Sequence, residues 1–268
     1  MEKSIIEVEN LTRIFGKINA VNNISFNVRK GEVFAFLGPN GAGKTTTIKM
    51  LTTLLHPTSG KLLVNGFDPL HHQSDVRNSF GIVFQDPSLD EELTAYENME
   101  FHGVFYHLEK KLMKERIPNL LKYVELYDRK DDMVKTFSGG MKRRLEIARA
   151  LLHHPKILFL DEPTLGLDPQ TRNRLWEYVS KLNKEEKMTV FLTTHYMEEA
   201  DKISDRIAII DHGKIIKLGT SKELKKQTKS KTLEEAFLKL TGHTIRDESA
   251  SSIDRLRTQG KIWMGKGK

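Results

Sequence analysis

The chain contains no cysteine among its 268 residues. Disulfides, thiolate catalysis and thiolate-held zinc or iron–sulfur centres are therefore excluded, and a reducing compartment is the natural setting. Long apolar runs are missing too. The clearest ones cover 33–37, 157–160, 190–192 and 207–210, far short of the ~18 to 20 residues that cross a bilayer. Residues 1–4 lead into a strand-like segment, so neither a secretory signal nor an Arg-rich transit peptide is expected. Internal repeats and low-complexity tracts are absent from the first 220 residues. What is present suits a folded chain: 38% apolar residues with 18 glycines and 8 prolines, which is neither fibrous nor disordered. The length allows one large domain or two small ones at roughly 150 residues each. A net charge of +7 suits phosphate ligands, nucleic acid or an anionic membrane face without choosing among them.

Alternation near Ile5 to Leu11 predicts a short strand, and Val21, Ile24, Phe26 and Val28 predict a half-buried one. Pro57-Thr58-Ser59-Gly60 reads as a turn before a strand at 61–64. This opening part looks antiparallel. The four apolar runs differ: they are continuous, bounded by turn residues and separated by helix-length stretches, as in a buried parallel sheet. From about 90 to 152 the chain reads as helical. Thr94 with Glu97 forms a capping box. Pro118 predicts the start or interruption of a helix. Met141, Leu145, Ala148 and Leu152 recur at helical spacing, with Lys142, Arg143, Glu146 and Arg149 on other faces. This block is read as an insertion into an α/β core. The expected organisation is a main domain over 1–220, a short helical extension over 221–242 and a basic, flexible tail over 243–268. Within the extension, lysines crowd 222–231, and 232–240 is a candidate amphipathic helix.

Gly38-Pro39-Asn40-Gly41-Ala42-Gly43-Lys44-Thr45 matches G-x-x-x-x-G-K-[ST], for which average residue frequencies give only about 0.01 chance matches in a chain of this length. A strand precedes it and a helix over 46–55 is predicted to follow. The glycines let backbone N–H groups turn inward toward phosphate oxygens, and the helix N-terminus adds partial positive charge. Lys44 can reach the β- and γ-phosphates, and Thr45 can ligate Mg²⁺. A second apolar strand ends in Asp161-Glu162, at the edge where ligands of parallel sheets sit. There Asp161 would hold Mg²⁺ through water and Glu162 would serve as general base. Taken alone, the two acids fit a salt-bridged or solvent-facing pair equally well. Ser138-Gly139-Gly140 reads alone as an N-cap and tight turn, and as a second anion site. His195 follows a strand at 189–194, and a lone histidine is more often structural than catalytic.

In this order the segments resemble the ATP-binding subunit of ABC transporters over about residues 1–240. Gly38 to Thr45 resembles the Walker A loop, and Gln85, after a strand at 81–84, resembles the Q-loop glutamine. Phe137-Ser138-Gly139-Gly140-Met141 resembles the signature, with Met141 where the family usually has Gln. Asp161 and Glu162 match Walker B and the catalytic glutamate, Gly166-Leu167-Asp168 the D-loop, and His195 the switch histidine. Phe15 stands where the family stacks a ring on adenine. The resemblance implies a P-loop NTPase core with a mainly parallel sheet, an N-terminal antiparallel β subdomain and an inserted helical subdomain. It implies ATP and Mg²⁺ as ligands, with Phe15, Gly38 through Thr46, Ser138, Gly139, Gly140 and Asp168 at the nucleotide. Thr45, Gln85 and Asp161 would face the metal. Glu162, His195 and Gln85 would be catalytic.

The same resemblance implies a head-to-tail pair, homodimer or heterodimer. Ser138 and its glycines would then serve the nucleotide held mainly by the partner. A separate transmembrane permease subunit would supply the pathway, placing this chain peripherally on the cytoplasmic face of the cell membrane. No nucleic acid partner is expected. Residues 45–69, 90–106 and 233–240 look like the drug-resistance exporters typified by daunorubicin export. A soluble ABC ATPase acting in translation, repair or cofactor assembly is the competing class. Against it, the chain has neither a second such domain nor a long coiled coil. A non-hydrolysing nucleotide binder is disfavoured by Glu162 and His195. The segment from Asp86 to Tyr96 is expected to dock the membrane subunit through Pro87, Leu89, Leu93 and Tyr96, with Asp90, Glu91 and Glu92 supplying charge.

Overall fold

Strands buried on both faces set the architecture. The computed structural model describes residues 3–242. In chain order its elements are β1 (Ser4–Phe15), β2 (Ile18–Arg29), β3 (Val33–Leu37), α1 (Lys44–Leu51), β4 (Ser59–Val64), α2 (Gln73–Ser79) and β5 (Phe80–Val83). Then come α3 (Ala95–Phe105), α4 (Lys110–Tyr123), α5 (Gly139–Ala150), β6 (Ile157–Asp161), α6 (Pro169–Glu186) and β7 (Thr189–Thr194). The last are α7 (Met197–Ile203), β8 (Arg206–Asp211), β9 (Lys214–Gly219), α8 (Ser221–Thr228) and α9 (Leu233–Thr241). The main sheet has the order β5-β6-β7-β3-β8-β9, parallel except for β9. A second, antiparallel sheet has the order β2-β1-β4.

The period of two along each strand divides the core. From β3, Val33, Ala35 and Leu37 face one layer with Leu158, Leu160, Val190 and Leu192, covered by Leu175 and Val179 of α6. Leu224 of α8 with Leu233 and Phe237 of α9 join that same layer. Phe34 and Phe36 face the other way, toward Phe26 of the antiparallel sheet, with Phe159 and Phe191 beside them. Their rings lie 5.5–6.1 Å apart in tilted and stacked pairs, the offset arrangement that aromatic quadrupoles favour. The helices between β5 and β6 have a cluster of their own, with Met99, Ile117, Leu121, Leu145 and Leu152 fully buried.

Several local readings need correction. The helix after the glycine-rich loop runs over Lys44–Leu51, not 46–55, because Gly43 in the left-handed region caps it and the turn begins at Lys44 itself. Pro118 neither starts nor interrupts α4; it lies inside the helix. Proline withholds one N–H from the ladder, but Met113, Ile117 and Leu121 bury that helix's apolar side and hold it through the gap. Of the charged residues read on the other faces of that helix, Arg143 and Glu146 are buried, at 5% and 1% exposed. The lysine-crowded stretch forms α8, opened by a capping box between Thr220 and Glu223. The capping box at Thr94 and Glu97 opens α3 as expected, and Thr232 caps α9. The basic tail over 243–268 lies outside the described residues.

Candidate functional site

The chemistry-bearing residues collect at the carboxyl ends of three neighbouring strands, β6, β7 and β3. That edge is where ligands of open parallel sheets sit. From β3 the chain enters the loop Gly38 to Thr45. A Cβ on Gly38 would come 2.3 Å from the Ile210 carbonyl oxygen, so only glycine lets the loop leave the strand beside β8. Gly43 has φ +107°, a conformation that side chains avoid, and it turns the loop into α1. Asn40 and Gly41 are exposed at the tip, Pro39 is half-buried, and Ala42 is buried. Thr45 and Thr46 are half-buried in the first turn of α1.

Lys44 is 5% exposed. Its ammonium donates to the carbonyls of Gly38 at 2.7 Å and Pro39 at 3.3 Å, and lies 3.2 Å from Glu162 Oε1. Asp161 closes β6 in register with Thr193 of β7. Its Oδ1 accepts from the Thr193 hydroxyl at 2.6 Å and the Thr45 hydroxyl at 3.3 Å. Burial pushes the Asp161 carboxyl above the ordinary aspartate range, against those two hydroxyls. Glu162 Oε2 accepts the His195 N–H at 3.2 Å and meets His195 Nδ1 at 2.8 Å. Burial alone would raise Glu162. The hydrogen bond from His195 and the Lys44 charge outweigh it and hold the carboxyl below the ordinary glutamate range. Glu162 also has φ +49°, strained backbone for a glutamate, held by hydrogen bonds from its N–H to the Thr193 carbonyl and hydroxyl, both at 3.1 Å.

Lys44, Thr45, Asp161, Glu162 and His195 are thus brought together, and Thr193 is a member that sequence reasoning missed. Its only sequence signal was a hydroxyl at a strand end beside His195. The donor set fits a magnesium–triphosphate group. A buried ammonium sits within the curled loop, and a carboxylate destabilised by burial stands beside a threonine hydroxyl, where a divalent cation would relieve it.

The remaining predicted residues stand apart. Phe15 is 43% exposed at the end of the β1–β2 hairpin, with the Arg13 guanidinium 4.4 Å over its ring. Gln85 is exposed just past β5. Ser138 caps α5 by accepting the Met141 N–H at 3.3 Å and stays exposed, as does Gly139. Gly140 is backed by Thr171, whose Cγ2 would lie 2.4 Å from an added Cβ. Asp168 is exposed and caps α6. Its carboxylate accepts from the Thr171 hydroxyl at 2.6 Å and N–H at 3.0 Å, bonds that hold it below the ordinary aspartate range. Glu91 and Glu92 are already engaged within the chain, by Lys142 at 2.5 Å and Lys135 at 2.8 Å.

Residues 21–165 match the family model described as ABC transporter. The chain is 46% identical over 220 residues to the linearmycin resistance ATP-binding protein LnrL of Bacillus subtilis, covering 82% of this chain and 70% of that one. It is 44% identical over 228 residues to the daunorubicin/doxorubicin resistance ATP-binding protein DrrA of Streptomyces peucetius, covering 85% and 69%. Among solved structures it resembles a dimeric ATP-binding cassette in a post-hydrolysis state bound to ADP and Pi. There the TM-score is 0.73 and the identity 29%, over 80% of this chain and 98% of that one.

Proposed function

The chain belongs to the ABC transporter family as an ATP-binding, ATP-hydrolysing subunit, and from that premise we propose that it hydrolyses MgATP between two head-to-tail copies to drive export. The observation that carries this reading is the linked set Lys44–Glu162–His195 at the mouth of the glycine-rich loop. As it stands, the Glu162 carboxylate offsets the Lys44 charge. When phosphate oxygens take over Lys44, Glu162 is left ionised, held by His195, and able to accept a proton from the attacking water. His195 would position that water against the γ-phosphate. Thr45, Asp161 and Gln85 would hold Mg²⁺, which supplies charge neutralisation at the β- and γ-phosphates. Adenine would stack on the face of Phe15 that Arg13 leaves free.

Ser138, Gly139 and Gly140 present N–H groups and a hydroxyl outward from a helix N-terminus. This supports their use on the nucleotide held by a second copy, with Asp168 at the same junction. No helix among the described residues is long and apolar enough to cross a membrane. We assign the pathway to a separate transmembrane permease, with this subunit peripheral on the cytoplasmic face. The two relatives are named for linearmycin and for daunorubicin/doxorubicin resistance, which supports a drug or antibiotic as cargo.

Glu162→Gln tests the reading. It keeps the shape and removes the base. Turnover should fall by about 10²–10⁴, while MgATP binding persists and size-exclusion chromatography shows a dimer with ATP trapped in it. Hydrolysis at the wild-type rate would remove Glu162 from the role of base.

A further inference from the structure

The helix that begins at Ser138 also grips the segment that carries Gln85. Arg143 is buried, and its guanidinium donates to the backbone carbonyls of Phe84 and of Gln85, the latter at 2.8 Å. The same guanidinium pairs with Glu146, one turn further on, at 2.9 Å. Glu146 in turn accepts the Ser88 N–H at 2.8 Å. One more turn along, Arg149 donates to the Ser88 carbonyl at 2.7 Å. Three side chains spaced at every third position of α5 therefore hold four backbone groups of residues 84–88. Such residues lie near one another on a helix surface. At its far end α5 is pressed against the root of the same segment: a Cβ on Gly81 of β5 would meet the Ala150 carbonyl oxygen at 2.2 Å.

A buried arginine has few ways to satisfy its fixed fork of donors, and here the fork closes on two consecutive carbonyls and a carboxylate. Gln85 is exposed, while its backbone carbonyl is held by Arg143. From Ser138 to Arg143 the helix rises about 7.5 Å. Within that length no flexible link separates the exposed serine from the grip on Gln85. A tilt of α5 that presents Ser138 to a second copy must carry the Gln85 backbone with it.

We propose that the buried Arg143–Glu146 pair is a positioning strap that fixes the Gln85 segment to the helix bearing Ser138, so that closure on the partner's nucleotide sets Gln85 at the chain's own nucleotide. This rests on the roles given above to Gln85 and Ser138. Arg143 and Glu146 touch no substrate; they act through the backbone that they hold. The two nucleotide sites of a dimer are then joined inside each chain by a short, rigid connection.

The test uses the full chain and MgATP. Arg143→Met/Glu146→Met removes both charges together and leaves an apolar pair of similar volume. Its thermal transition should stay close to that of wild type, and MgATP affinity of the monomer, read by calorimetry, should stay within about twofold. Its kcat should fall about tenfold, a loss of about 1.4 kcal/mol in the transition state. Arg143→Lys keeps a charge beside Glu146 but cannot bridge two carbonyls, and its kcat should fall by about threefold with affinity unchanged. Should the double variant not fold, the lysine variant carries the test. Wild-type kcat in the folded variants would overturn the strap. So would affinity falling in step with kcat, or unfolding of both variants, since either makes the pair structural only. Ser138→Arg and Gln85→Ala run beside them. If those two keep full turnover, the roles of Ser138 and Gln85 fall. If they lose it while the strap variants do not, the strap alone falls.

Discussion

At the ends of β3, β6 and β7, polar and charged groups satisfy one another: Lys44 lies against Glu162, Glu162 against His195, and Asp161 takes two hydroxyls. The helical insertion also pairs buried charges, Arg143 with Glu146, but it leaves other polar groups outward. Ser138 and Gly139, the residues proposed to meet a second copy's nucleotide, are exposed, and its half-buried histidines His102 and His153 are held neutral. The first region satisfies its charges within one chain. The second leaves Ser138 and Gly139 at an exposed helix N-terminus. On the proposed function, a site divided in this way would tie the reaction to the approach of a second chain, because neither half brings the acceptor and the donors together alone.

Beyond Glu162→Gln, the largest effect should come from breaking the outward half. Ser138→Arg places bulk where the partner's γ-phosphate would sit and removes a preorganised hydroxyl. Losing one such donor costs about 10²–10³ in turnover. MgATP binding by the monomer should stay within about twofold, because Ser138 makes no contact with the Lys44 cluster; it caps its own helix. Gel filtration with MgATP in a Glu162→Gln background should then show no dimer. Loss of monomer binding would place Ser138 on its own chain's nucleotide and erase the division. Breaking the inward half should have the next largest effect. Lys44→Ala removes the one ammonium held in the loop and leaves Glu162 without its cation. Charge-assisted hydrogen bonds of this kind are worth about 1.5–3 kcal/mol, so MgATP affinity by calorimetry should drop by about 10- to 100-fold. Tight binding by this variant would mean that the loop backbone alone holds the phosphates.

The inward half was largely legible from the sequence because its signals are local. The loop Gly38 to Thr45, the strand before it, and Asp161-Glu162 closing another apolar strand lie within short windows where spacing and hydropathy suffice. So did the capping box of Thr94 and Glu97. The same signal stood at Thr220 and Glu223, unread among lysines that looked like a solvated stretch. The strap was not legible. Arg143 reaches Gln85 across 58 residues of chain, and charged residues one turn apart on a helix ordinarily mark its wet face. Thr193 was hidden for a related reason: threonine is a good strand former, so its hydroxyl gives no sign of facing a carboxylate. Pro118 misled in the opposite direction, since its rule is local whereas the burial of Met113, Ile117 and Leu121 that overrides it is tertiary.

The smallest of these effects separates the two regions by pH. His102 of α3, Tyr106 just past its end and His153 just past α5 pack their rings together; the Tyr106 and His153 rings stack 3.8 Å apart. His153 Nε2 lies 2.8 Å from the Phe80 carbonyl, which can only accept, so the neutral ring carries its proton there. Burial first, then Arg149 and His153, pull His102 down to about 3. Burial first, then Arg116 and His154, bring His153 down to about 4, against the Phe80 hydrogen bond. Both folded values lie below the free value of 6.5. As pH falls below that value the unfolded chain takes up protons that the folded chain refuses, and stability is lost progressively toward pH 4. Between pH 7 and pH 6 the two histidines together should cost roughly 1.4 kcal/mol, about a tenfold shift toward the unfolded chain. Over the same interval Glu162, held below its ordinary range, stays ionised. Urea unfolding of wild type at the two pH values should show that loss. His102→Phe/His153→Gln, which keeps a donor for Phe80 and removes both titrations, should abolish most of it. An equal loss in the double variant would assign the pH dependence to other groups and leave the half-buried histidines without a part in the contrast.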